Sequence, residues 1–201
     1  MRRARAAALL AAALPGSLYI YQGDELGLDE VTVPLDEIRD PMHARSGGTD
    51  PGRDGCRVPL PWSGAEPPFG FSPDGAAGRP WLSQPVDWAD LTVEAQTADP
   101  GSMLELYRAA LRIRRAEPDL GDGALAWRAA APDVLAFARG DRFTHVTNLS
   151  HEPVRLPPHE SVLLASDTVS DGWLPSDASA WLRTAPDGDG DATRRVPPAK
   201  P

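Results

Sequence analysis

The sequence predicts an α/β unit followed by a small antiparallel β domain, and three observations carry that reading. An Ala/Leu-rich run over 6–14 stops at Pro15-Gly16 and gives way to Ser17-Leu18-Tyr19-Ile20-Tyr21, the order of a helix, a tight turn and a buried strand. Met103, Leu106, Tyr107, Ala110, Leu111 and Ile113 form one apolar stripe at helical spacing. After Gly121 the periodicity changes from helical to two, with short runs at hairpin spacing.

Composition narrows the possible functions. With 41% hydrophobic and 24% charged residues, 201 residues suffice for one domain or two small ones. The 29 acidic against 20 basic residues leave a net charge of −9, which repels phosphate backbones, so no nucleic-acid partner is expected. One cysteine cannot form an internal disulfide, and four scattered histidines lack zinc-site spacing; no metal or other cofactor is expected. The longest apolar run falls short of the roughly 20 residues a membrane span needs, so no membrane partner is expected either. Lysine occurs once, at Lys200, so almost all positive charge is arginine, the better residue for bidentate contacts. The 22 prolines and 18 glycines predict long loops or a disordered end.

Taken in order, residues 1–16 admit two readings. Arg2, Arg3 and Arg5 before an apolar run resemble a secretory leader; the same run has high helix propensity and ends at Pro15-Gly16, as a buried helix does. Cleavage near Ala13 would leave the strand over 17–21 as a bare terminus, so the helix is preferred and the chain is expected to be cytoplasmic. A Gly-bounded acidic loop, Gln22-Gly23-Asp24-Glu25-Leu26-Gly27-Leu28, follows. The Pro/Gly-rich stretch from Asp29 to Asp99 reads as a long functional loop, because Trp62, Phe69, Phe71, Trp81 and Trp88 need burial. Asp99 caps the next helix with Pro100 in its first turn, Arg112, Arg114 and Arg115 complement its C-terminal dipole, and Pro118 and Gly121 stop it. Short strands are predicted at 124–129, 134–138, 143–148, 153–156, 161–165 and 180–182. The Asp-Gly-Asp-Gly-Asp run at 187–191 reads as part of a disordered tail; as a calcium loop it fails, since Ala192 stands where glycine is needed and no Glu closes the site.

Two segments carry a family resemblance. Pro15 through Leu28, with Tyr21-Gln22-Gly23-Asp24-Glu25-Leu26-Gly27 at its centre, resembles the glycoside hydrolase family 13 (α-amylase family) α-glucosidases, in which a helix leads into the eighth strand of a TIM barrel and a Tyr-Gln-Gly-Glu-Glu-Leu-Gly segment follows. Asp24 stands where the family has Glu. The second segment, Arg53-Asp54-Gly55-Cys56-Arg57-Val58-Pro59-Leu60-Pro61-Trp62, is similar to the family's Arg-Asp-x-x-Arg-Thr-Pro-Met-x-Trp loop. The resemblance covers roughly residues 3–185. A whole (β/α)8 barrel takes about 250 residues. The resemblance therefore implies the C-terminal portion of such an enzyme: an α/β remnant of a TIM (β/α)8 barrel, its last strand and helices, followed by a small antiparallel all-β domain. The implied boundaries are 1–120 for the barrel remnant with its substrate loop, 121–185 for the C-terminal β domain and 186–201 for the tail.

The same resemblance places the family's nucleophile Asp, general-acid Glu and third Asp on strands four, five and seven, upstream of Met1, so no catalytic residue is expected in this chain. Asp24 and Glu25, adjacent at an extended strand end, point to opposite faces and cannot share one anomeric carbon. Arg57 and Arg53 are the substrate-binding candidates, since a guanidinium forks onto vicinal hydroxyls or onto a carboxylate that does so. By resemblance Arg57 is placed ahead of Arg53 for contact with the innermost glucose; the competing role is that both pin the loop through Asp54. Trp62 is a sugar-stacking or loop-core residue, Cys56 a small buried hydrophobe, and His145 a satisfied sheet residue. His43, His151 and His159 have no partners in pattern. The implied activity is retaining hydrolysis of terminal α-glucosidic bonds, with an α-glucoside or oligosaccharide as partner in the complete enzyme and this chain inactive alone. The alternatives are a family 13 transglycosidase of the trehalose synthase or sucrose isomerase type, or a non-catalytic accessory protein.

Overall fold

A computed structural model describes residues 1–73, 76, 78 and 80–186. The tail expected over 186–201 lies, from 187 on, outside the described residues. The helices are α1 (Arg2–Ala13), α2 (Pro41–Arg45), α3 (Val93–Gln96), α4 (Met103–Ala116) and α5 (Pro118–Gly121). The strands are β1 (Leu125–Trp127), β2 (Val134–Arg139), β3 (Phe143–Asn148), β4 (Val154–Arg155), β5 (Ser161–Ala165), β6 (Trp173–Leu174) and β7 (Ala178–Arg183). Two compact units make up the chain, Met1–Tyr19 with Leu106–Pro201, and Ile20–Glu105.

The first unit is built on a five-stranded antiparallel sheet in the order β1-β2-β3-β7-β5, with a two-stranded β4-β6 ribbon. The alternation read from the sequence sets its two faces. Ala136, Val146, Ala178, Ala180 and Leu182 point one way, into a core closed by Leu156 and Leu174. Phe137, His145 and Trp181, aligned across β2, β3 and β7, belong to the opposite face, where α1 packs. There the Ser179 hydroxyl donates to the Ala6 carbonyl at 2.9 Å and the Trp181 indole to the Leu9 carbonyl at 3.1 Å. Ala6, Leu9, Ala12 and Ala13 are the buried stripe of α1. β6 has no counterpart in the sequence reading, because two residues show no period.

The C-terminus of α1 is capped from a distance. A helix end leaves carbonyls without partners, and here two arginines supply donors. Arg114 donates to the carbonyls of Ala12, Leu14 and Gly16. Arg139, fully buried, donates to Ala13, Leu120, Gly121 and Gly123. Burial first, and then the neighbouring Arg114 charge, pull its pKa down.

Four expectations are corrected. The 17–21 run is extended but belongs to no sheet, and Tyr19 is 91% exposed, so it is not a buried strand; no described segment offers it an edge, and a strand without a ladder partner has neither hydrogen bonds nor cover. Asp24 and Glu25 lie in a 3-10 turn, not at a strand end. Helix α4 begins at Met103, because the Ser102 hydroxyl accepts the Glu105 N–H at 3.1 Å; Asp99 instead closes the preceding turn, accepting from Ser102 N at 3.0 Å. Of the five loop aromatics, Phe69 and Trp88 are buried, whereas Trp62, Phe71 and Trp81 are exposed.

The second unit holds little regular structure. Its core is Val58, Phe69, Leu82 and Trp88, flanked by Leu28, Val31 and Val33. Buried amides replace a sheet ladder: Gln96 donates to Leu26 and Leu91 carbonyls and accepts from Leu104 N, and Gln84 donates to Pro59. Every such bond satisfies backbone that a loop would otherwise leave unpaired in the interior.

Candidate functional site

The 52–57 segment is shaped by two glycines. Gly52 has φ +73°, and a Cβ there would lie 2.5 Å from the Asp40 side chain; such a backbone favours glycine. A Cβ on Gly55 would lie 2.3 Å from the Val31 carbonyl. These close approaches bring Asp40 and Asp54 together beneath the arginines. The Asp54 carboxylate accepts the backbone N–H groups of Arg39 and Asp40. Asp40 accepts from Met42 N at 3.0 Å as the N-cap of α2, and from Arg53 N at 3.0 Å. Those two N–H donors, and then the Arg57 and Arg53 charges, hold the Asp40 carboxyl below its ordinary range.

The two arginines are held differently. Arg57 pairs with Asp40, lies 3.2 Å from Asp54 Oδ1, and donates through Nε to the Arg53 carbonyl at 3.0 Å. Its side chain is 40% exposed. Arg53 is 81% exposed, with only its Nε near Asp40, at 3.8 Å. The loop therefore rests on an Asp40–Arg57–Asp54 brace, while the Arg53 guanidinium stands in solvent. Asp40 was not singled out from the sequence; the signal was an Asp-Pro pair opening a short helix, a common cap pattern.

Beside the brace is a cleft of about 200 Å³, lined among others by Tyr21, Gln22, Glu30, Cys56, Val58 and Trp88. Cys56 is half-buried, which corrects the expectation of a buried hydrophobe. Its thiol donates to the Arg53 carbonyl at 3.2 Å and lies 3.8 Å from the Tyr21 hydroxyl, and that contact leads the causes raising the Tyr21 pKa. Asp24 accepts from Tyr21 N at 3.1 Å and Glu25 from Gly23 N at 2.9 Å, so both carboxylates serve the turn that carries them. Trp62 stays half-exposed in the same unit. His145 lies elsewhere, inside the sheet of the first unit, and His159 bonds locally to the Pro157 carbonyl. Among the described residues no cluster of three or more His, Cys, Asp or Glu could hold a metal ion.

Comparison with known proteins places the chain in a family. The family model for the α-amylase catalytic domain matches residues 1–123, and the chain belongs to that family, glycoside hydrolase family 13, whose members include glycosidases. The "Probable alpha-glucosidase" of Rhizobium meliloti is 35% identical over 136 residues, 68% of this chain and 24% of that protein. The "Glucan 1,6-alpha-glucosidase" of Streptococcus pneumoniae is 30% identical over 177 residues, 75% of this chain and 31% of that protein. Among solved structures, the α-glucosyl transfer enzyme XgtA superposes with a TM-score of 0.74 at 32% identity, covering 91% of this chain and 36% of its own. The chain thus spans about a quarter to a third of the length of these relatives.

Proposed function

We propose that the chain is the C-terminal part of a retaining α-glucosidase that hydrolyses terminal α-glucosidic bonds of short gluco-oligosaccharides in the cytoplasm. In this reading residues 17–21 are the eighth strand of a barrel completed by polypeptide outside these 201 residues, residues 1–120 are the barrel remnant, and 121–185 are a C-terminal β domain. The observation that carries it is the braced arginine loop. Asp40 and Asp54 fix Arg57, Arg57 fixes the backbone of Arg53, and Arg53 presents a largely exposed planar guanidinium. We therefore assign sugar contact to Arg53 and the bracing role to Arg57, the reverse of the order the resemblance implies. Exposed donors on an anchored stem are what recognition of vicinal hydroxyls needs.

Retention requires two carboxylates about 5 Å apart across the glycosidic bond. Asp24 and Glu25 are engaged with turn amides, so the isolated chain should not hydrolyse maltose or p-nitrophenyl α-glucoside above the buffer rate. Turnover that survives purification and vanishes in Asp24→Asn would overturn this reading. A second reading, α-glucosyl transfer, is favoured by the 32% identity to XgtA. Product analysis of the chain joined to the rest of a catalytic domain separates the two: glucose release supports hydrolysis, and new glucosides support transfer.

A further inference from the structure

The α1-facing side of the sheet holds a histidine that the proposed activity does not use. His145 is fully buried, stacked on Phe137 with ring centroids 4.7 Å apart. Its Nε2 lies 2.6 Å from the Thr147 hydroxyl, which lies 2.7 Å from the Ser179 hydroxyl, which donates to the Ala6 carbonyl at 2.9 Å. The carbonyl end fixes the direction of every proton in this chain. Ser179 gives its only hydrogen to Ala6, so Thr147 donates to Ser179, and His145 must donate from Nε2 to Thr147. Nε2 therefore carries a proton, and full burial of the ring disfavours a second one, which leaves Nδ1 with a bare lone pair. That Nδ1 is buried and finds no partner among the described residues.

We propose that the His145–Thr147–Ser179 chain is an acid-sensitive latch that holds helix α1 on the sheet. A second proton on His145 can only enter at Nδ1, where it would be a buried donor and a buried charge with nothing to accept it. Undocking α1 opens this face to water and removes the penalty.

Among the described residues, the charged groups on the neighbouring strands and on α1 are engaged with other partners. Arg139 at the end of β2 is held by four backbone carbonyls, and Arg183 on β7 pairs with Glu117. On α1, Arg2 and Arg3 pair with Asp167 and Asp177, and Arg5 donates to the Ser166 carbonyl. β1 contributes Trp127, edge-on to Phe137. Burial alone pushes the His145 pKa down, from 6.5 to about 3. With the folded value depressed, the undocked state binds the extra proton in between. Docking is fully stable above pH 6.5 and weakens as pH falls from there towards 3.

The test is amide exchange by NMR on the full chain, corrected for intrinsic exchange, together with the 15N shifts of the His145 ring. The opening constant of α1, read at Leu9 and Ala13, should rise about tenfold per pH unit below 6.5, while β3 amides stay protected. The ring should remain the neutral Nε2–H form for as long as α1 is docked. His145→Phe keeps the stacked ring and removes the titration, so its slope should fall by one proton. Equal slopes in both proteins would overturn the latch. So would a protonated His145 ring beneath protected α1 amides, or α1 and β3 opening together at one pH. Should His145→Phe not fold, the ring shifts of the unaltered chain and His145→Gln decide the question in the same way.

Discussion

At the scale of single residues, the loop shows why two arginines four positions apart have different work. Arg57 meets two carboxylates and a carbonyl, and Arg53 is tethered mainly by its backbone N–H to Asp40. In a chain joined to the rest of a catalytic domain, Arg53→Lys removes the fork and should lower kcat/KM about 10- to 150-fold, the value of a charged hydrogen bond of about 1.5–3 kcal/mol. The loss should be similar for every glucoside, with an unchanged circular dichroism spectrum. Arg57→Lys should instead lower the melting temperature along with activity. A greater activity loss at Arg57 with the fold intact would restore the opposite assignment. Asp40 gives a pH signature. Its carboxyl is held low in the folded state, so its contribution is complete above the ordinary value of 3.8 and disappears as pH falls through the folded value. Asp40→Asn should flatten the acid limb of the stability curve, measured by thermal melts across pH. Asn offers one acceptor oxygen where Met42 N and Arg53 N use two, so the variant should also lose stability at neutral pH, on top of the flattened limb.

At the scale of elements, the strands were legible because alternation is local: 134–138, 143–148 and 161–165 are readable from period two alone, and the structure keeps their boundaries to within a residue. The start of α4 was misread because two capping residues compete within four positions, and the choice of Ser102 rests on a side-chain bond that spacing does not reveal. The C-terminus of α1 depends on Arg139, whose guanidinium holds four carbonyls in the interior. Arg139→Leu leaves those carbonyls without donors and should destabilise the protein by about 3 kcal/mol or more, read from urea melts monitored by circular dichroism. A change below about 0.5 kcal/mol would mean that water replaces the guanidinium without penalty.

At the scale of the whole molecule, the two compact units differ in how their backbone is satisfied. Limited proteolysis should first cut within Ile20–Glu105, where side-chain amides and turns replace ladders, and should leave the sheet intact. Fragments carrying α1 should co-elute with the sheet on size exclusion at neutral pH, because Ala6, Leu9 and Ala13 are bonded to β7 and β2. Early digestion of the sheet would contradict that assignment of stability. The sequence by itself determined the period of the longer strands, the apolar stripes and the two family segments, since all of these are patterns among neighbouring residues. Only the tertiary structure decided that Asp40 braces the arginine loop, that Arg114 and Arg139 cap α1, and that the 17–21 run finds no ladder among the described residues. It also decided that His145 reaches α1 through two hydroxyls. The physical reason is separation along the chain: Asp40 meets Arg53 across 13 residues and Ser179 meets Ala6 across 173. Such meetings are set by how the elements pack, and no local propensity encodes them.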